Sequence, residues 1–242
     1  QDLNLQSKFT LVLLLIVSIP AIAIIFFFYG KAYDMVVSYT IRQEQDRSAE
    51  TAPLIEESIQ KVLDVSEEIS SLDFYQTLFK NALTESFTDL ADSPDAASFS
   101  RKVDQLIAGT PVSNVKIYME VPKDSPSDIN ALFDKEDLKD TFLSLDQVRG
   151  TYWYGIFRGS RVSQLFCPSF YLGTKEQKAY GDQAYITHAS VIYKNGTYDA
   201  YMAVYYSGHD FQQILSGNLT LDGSVSYIMN ERNNLVSASS DS

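Results

Sequence analysis

Apolar positions change their spacing three times along this chain. Between Lys8 and Lys31 they are continuous, and Phe9 to Gly30 holds 22 residues without a charge. A bilayer core about 30 Å thick needs about 20 apolar residues in a helix. The run therefore predicts a membrane-spanning helix over 9–30. A cleaved signal peptide would need a shorter apolar core followed by small residues. The nearest match, Ala21-Ile22-Ala23, sits mid-run and is followed by Ile24-Ile25-Phe26-Phe27-Phe28. Pro20 is tolerated in a transmembrane helix, and Phe28 and Tyr29 beside Lys31 form one end of an interfacial belt. Eight residues precede the span and 212 follow it. Residues 1–8 are thus expected to be a cytoplasmic tail, with the bulk of the chain outside.

Beyond the span the spacing becomes threes and fours. Residues 31–72 predict a long stalk helix whose stripe runs through Leu54, Ile55, Ile59, Val62, Leu63, Ile69 and Leu72. Pro53 is expected to kink or restart it, with Thr51 as a cap. The stripe departs from a strict heptad, so it suits packing against its own domain as well as a dimer seam. "SPDAASFSRKVDQLIAGTP" predicts a second helix, capped by Ser93, opened by Pro94 and closed by Gly109 and Pro111. "VSNVKIYMEVP" alternates as a strand stopped by Pro122, and "DINALFDKEDLKDTFLSLDQV" returns to helical spacing through Leu132, Phe133, Leu138, Phe142 and Leu145.

From Tyr152 onward strand signals dominate, and 11 of the 16 tyrosines lie there. "VSQLFCPSFYL", "AYITHASVIY" and "TYDAYMAVYYS" read as strands, with Asn195-Gly196 as a hairpin turn. Ala200 to Tyr206 is apolar on both faces, which predicts a central strand. "HDFQQIL" is a short helix, and "SVSYIMNERNNLVSASS" reads as the first hairpin of a further sheet. The expected fold class is α+β, with antiparallel strands and helices segregated to one side. The expected divisions are one lobe over 73–207, a linker helix over 208–221 and the start of a second lobe over 222–242, continuing past Ser242.

Charge narrows the function. Asp2 and Lys8 cancel, so the whole net charge of −12 lies after Gly30. That acidity argues against nucleic acid, whose partners cluster Lys and Arg, and suits a self-repelling exported domain. The single cysteine, Cys167 in "LFCPSF", excludes an intramolecular disulfide and reads as a small buried hydrophobe. A zinc site wants three or four nitrogen or sulfur ligands; His188, His209 and Cys167 are scattered, and His188 reads as a packed or half-exposed strand residue. Nucleotide-binding glycine motifs and a nucleophile elbow are missing. No metal, cofactor or catalytic residue is expected. The stretch richest in binding chemistry is "DQVRGTYWYGIFRGSR", which sets Tyr152, Trp153 and Tyr154 between Arg149, Arg158 and Arg161. It reads equally as ligand contact, with rings stacking and guanidinium gripping a carboxylate, or as a Trp153 core anchor with surface-paired arginines.

Taken in order, the anchor, the stalk, "NVKIYME", "SLDQVRGTYWYGIF", "LFCPSFYL", "AYITHASVIYKNGTYDAYMAVYYSGHDFQQIL" and "SVSYIMNERNNLVSASS" resemble the exported part of bacterial transmembrane receptors with a double Cache sensor domain. The likeness is to sensor histidine kinases of Gram-positive type that pair with AraC-like response regulators. It implies a membrane-distal PAS-like lobe over 73–207 that holds a small molecule, with a second membrane span after the proximal lobe. It also implies a homodimer and a cytoplasmic part that addresses a response regulator. Relatives that bind amino acids carry an arginine two positions before the Trp-Tyr pair; here that position is Thr151. The resemblance instead implies a carbohydrate, or its solute-binding protein, as ligand. By the same analogy the pocket draws on Arg149, Trp153 as a stacking wall, Tyr154 as a polar tip, Ser169, Tyr185, and Asp210 as an acceptor. The same module serves chemoreceptors and cyclic-dinucleotide enzymes. A membrane-tethered extracellular enzyme or adhesin is the reading from a different class.

Overall fold

The computed structural model describes residues 5–80, 83, 86–121, 127–193, 196–217, 225, 227–229 and 235–238. It divides into two compact units, Gln1–Glu50 and Thr51–Ser242. In chain order the elements are α1 (Leu5–Ser71), α2 (Asp73–Phe79), α3 (Phe87–Ala91), α4 (Pro94–Ile107), β1 (Val112–Met119), α5 (Asn130–Asp134) and β2 (Phe142–Ser144). There follow α6 (Tyr152–Gly159), β3 (Gln164–Cys167), α7 (Thr174–Ala179), β4 (Gln183–Tyr193), β5 (Gly196–Tyr206), α8 (Gly208–Ser216), β6 (Tyr227–Met229) and β7 (Leu235–Ala238).

In the first unit α1 is the one element, and its apolar side chains are exposed, Phe26 at 72% and Ile25 at 65%. Among the described residues it is the one helix long and apolar enough to cross a membrane. It continues without a break through Pro20 and Pro53, so the expected restart at Pro53 does not occur. A proline removes one backbone donor, which helix on both sides of it can absorb.

In the second unit the last turns of α1 bury Ile55, Val62, Val65 and Ile69. Leu54, assigned to the same stripe, points away and is 48% exposed. Helix α4 starts as its sequence dictates: Ser93 Oγ accepts from the Ala96 amide at 3.2 Å, and Pro94 occupies the first turn. After it Gly109 takes φ +77°, the left-handed region that glycine enters without a Cβ clash. Ser93→Ala is expected to cost about 1 kcal/mol, read as a lower urea midpoint with an unchanged slope.

The five-stranded sheet runs in the order β2-β1-β5-β4-β3. Strand β5 is central, as its two apolar faces require. The β4–β5 register pairs Tyr193 with Gly196; Asn195 lies outside the described residues. The sheet is mixed rather than antiparallel, because β1 and β2 run parallel. The 22 residues between them supply the crossover that parallel strands need. The helix expected across 128–148 is broken into two short 3-10 turns, Ser127–Ile129 and Leu145–Gln147, and α5, and Phe142 lies in β2. Paired with Ile117, Phe142 buries its ring against Phe74 and Phe99 from the sheet, so tertiary packing overrides the local period.

Alternation along the strands makes two cores. On one face Val115, Ile117, Met119, Met202, Val204 and Tyr206 meet α1, α2, α3, α4 and α8. On the other Tyr118, Tyr201, Ala203, Tyr205 and Ile186 meet α6 and the segment from Tyr171 to Glu176. The expected segregation of helices to one side therefore fails. A central strand apolar on both sides must be covered on both. Strands β6 and β7 pair with each other, and Ile228 packs against the first core.

Candidate functional site

Helix α6 organises the second face of the sheet. Thr151 Oγ1 accepts from the Tyr154 amide at 3.4 Å and starts the helix. Its spacing then turns Trp153, Tyr154 and Phe157 inward, onto Tyr201. Trp153 is fully buried, and its indole N–H donates to Glu176 Oε1 at 3.3 Å. The same oxygen accepts from Tyr205 Oη at 2.5 Å, and Glu176 Oε2 accepts from the Gly173 amide at 2.7 Å. Since Tyr205 donates to Glu176, the 2.9 Å contact between the Tyr118 and Tyr205 hydroxyls has Tyr118 as donor. This closed network holds α6 and α7 on the sheet.

The six residues expected to form a pocket do not converge. Arg149 donates to Asp146 Oδ1 at 2.5 Å and lies 3.7 Å from Glu120, with Nη1 at 3.4 Å from Tyr154 Oη. Trp153 is a core ring, not a stacking wall, because Tyr118, Tyr154, Phe157 and Tyr201 enclose it. Tyr154 touches both Arg149 and Trp153, so these three alone form a cluster. Ser169 opens a 3-10 turn instead of continuing β3, and its carbonyl accepts from Gln177. Tyr185 points to the opposite face of the sheet, against Phe166, and its hydroxyl donates to Gln164 at 2.8 Å. Asp210 is exposed in the first turn of α8.

The other end of the same arginine-aromatic stretch does line a cavity. A groove of about 440 Å³ opens where α6 ends, between Phe157, Arg158, Ser160 to Ser163 and the strand residues His188, Asp199 and Tyr201. The Ser163 carbonyl accepts from the His188 amide at 2.8 Å, tying this wall to β4. His188 Nε2 sits 2.9 Å from Asp199 Oδ1, and its ring lies 5.1 Å from that of Tyr201. Tyr201 is only 3% exposed, yet its hydroxyl has no hydrogen-bond partner among the described residues. Burial, then Asp199, push its phenol well above the ordinary tyrosine value, and the Arg158 charge opposes them. Neither Arg158 nor Arg161 has an ion pair among the described residues. The volume is that of a small-molecule site.

A second cavity, of about 370 Å³, lies between α4, β1 and residues 136–141. Part of its polar lining is already engaged. Ser100 donates to the Asp137 carbonyl and meets Thr141 Oγ1 at 3.1 Å, and Lys116 Nζ donates to the Asp140 carbonyl while lying 4.7 Å from the Tyr180 ring. Burial holds the Lys116 amine below the usual lysine range, against the pull of Asp140 and Asp104. The α6 groove, which sets two arginines beside one carboxylate already engaged by His188, whereas the second cavity is lined by four acidic residues, is the better candidate.

Of the groove residues, Arg158 and Arg161 stand out in the sequence by their setting in an acidic chain. Asp199 and Tyr201 do not. Their signal is the β4–β5 register, which sets His188 opposite Tyr201; centring the turn on Asn195-Gly196 moves each partner by two residues. Cys167 is buried, and burial raises its thiol. Among the described residues no three His, Cys, Asp or Glu side chains gather as a metal site. Comparisons with family models, curated proteins and solved structures found no match for the chain.

Proposed function

We propose that the chain is the extracytoplasmic ligand-sensing region of a transmembrane sensor histidine kinase, and that a small molecule binds in the α6 groove. The observation that carries the reading is Tyr201, a largely buried ring whose hydroxyl has no hydrogen-bond partner among the described residues, in a groove also lined by Arg158 and Arg161, neither of which has an ion pair among those residues. An α1 apolar enough for a membrane and an α+β unit with its last long strand central support the Cache-like reading. Binding at the groove would act on the sheet face opposite the one where Val62, Val65 and Ile69 of α1 are packed. A ligand moves such an equilibrium only by its differential affinity for the two arrangements.

The test is a melting screen of the 242-residue chain in lipid nanodiscs against a mixed panel of sugars, amino acids and organic acids. A ligand at a hundred times its Kd adds about 2.7 kcal/mol. Hydrogen exchange should then show protection at 157–163 and 188–201. A panel that leaves the groove unprotected removes the sensing assignment. The kinase part rests on the resemblance alone. It predicts a second apolar span and a phospho-acceptor histidine in the full reading frame, and a full-length gene without them would leave a receptor of another output.

A further inference from the structure

Resting on the sensing reading, we propose that the α6 groove selects a small oxyanion, carboxylate- or phosphate-bearing, held between Arg158 and Arg161 with its body over Tyr201. Arg158 and Arg161 line one cavity, and neither guanidinium meets a carboxylate among the described residues, although the chain has 31 Asp and Glu against 19 Lys and Arg. The cavity's own carboxylate, Asp199, is engaged by His188 at 2.9 Å. The groove is therefore locally cationic within a chain of net charge −12.

Guanidinium is planar, weakly hydrated and forked, which matches the two oxygens of a carboxylate or phosphate. The Tyr201 hydroxyl adds a neutral donor that nothing else in the described structure uses. A neutral sugar would cover two like charges without supplying a counter-charge, whereas an oxyanion supplies it. Pairs at the mouth of such a groove are partly screened, so affinity should fall as salt rises. Arg158 has one rival role: it lies in the last turn of α6, where a cation favours the helix dipole.

The experiment titrates the nanodisc-held chain with succinate, inorganic phosphate and maltose, reading melting temperature and hydrogen exchange, at low and high sodium chloride. At least one anion is expected to raise the melting temperature and protect 157–163 and 199–201, more weakly at high salt, while maltose does neither. Arg158→Gln or Arg161→Gln should raise Kd about tenfold or more. Arg→Lys at either position should recover part of the loss, since the charge returns without the fork. Tyr201→Phe, which leaves both arginines in place, should weaken binding by a smaller factor. Protection of the groove by maltose and by neither anion would overturn the oxyanion class while leaving the sensing reading standing. An anion shift that survives both Arg→Gln changes, with only the ligand-free melting lowered by Arg158→Gln, would return Arg158 to its helix-end role and overturn the clamp. Failure of the whole mixed panel to protect the groove would remove the sensing reading itself.

Discussion

Trp153→Ala is expected to destabilise the second unit by about 3–5 kcal/mol, seen by circular dichroism as a much lower urea midpoint. The indole has no exposed surface, and its ring centroid lies 5.5 Å from that of Tyr201 and 6.0 Å from that of Phe157. Removing it leaves a cavity between α6 and β5 and takes one donor from the Glu176 carboxylate. Trp153→Phe separates the two effects. It keeps a ring in the space but deletes the N–H, so it should cost less than the alanine change. The loss of one charge-assisted hydrogen bond is worth about 1.5–3 kcal/mol. Equal urea midpoints for wild type and Trp153→Ala would show that the indole does not hold the fold. The same experiment bears on function, because a core tryptophan should alter ligand binding only through unfolding.

Above about pH 10 the second unit is expected to lose stability steeply, as the unfolded chain's tyrosines ionise. Burial, ahead of every other cause, pushes the Tyr118, Tyr205 and Tyr206 phenols far above their ordinary value of 10.0. Tyr205 is further raised by Tyr118 and Glu176, and Tyr206 by Cys167 and Asp182. The sign follows from proton counts. Above 10.0 the unfolded state releases these protons while the folded state keeps them, so rising pH favours unfolding. Below that value both states are protonated and the three groups contribute no pH dependence. Three such groups give a slope of about 4 kcal/mol per pH unit at its steepest. Lys116 acts in the opposite direction, because burial lowers its amine: the unfolded state holds the extra proton, and stability gains slightly as pH approaches 10.5. The check is phenolate absorbance against circular dichroism during an alkaline titration. The buried tyrosines should ionise together with the loss of structure. Ionisation of all 16 tyrosines with the sheet intact would contradict the burial of these three.

The strongest periodic signals in the chain correspond to the elements that formed. Phe9 to Gly30 is helical because an uninterrupted apolar run has few alternatives. Ser93-Pro94 and Gly109 bound α4 because caps act over three or four residues and need no distant partner. Ala200 to Tyr206 became the central strand because only a strand covered on both faces can bury both sets of side chains. The restart expected at Pro53 did not occur because helix on each side of a proline can absorb its one missing donor. Phe142 misled because its spacing suits a helix, while the partner it meets, Ile117, is 25 positions away in the chain.

The site was legible in part for the same reason. Arg158 and Arg161 were visible as cations in an acidic chain, and the aromatic triplet beside them was visible as a dense cluster. Which end of that cluster faces a cavity depends on the pitch of α6 against β5, and Trp153 and Tyr154 proved to be the inward members of the triplet, with Tyr152 exposed. Tyr185 and Tyr201 are one residue type in adjacent strands, yet one faces the long helices and the other floors the groove. That choice is set by strand register, where a shift of one residue reverses every side chain. Local composition thus determined the apolar span, the caps, the central strand and the acidic surface, since each depends on neighbours a few residues apart. The groove, the closed Glu176 network and the place of Tyr201 beside Arg158 and Arg161 were decided only by tertiary structure, because each joins residues whose separation in the chain no local rule can bridge.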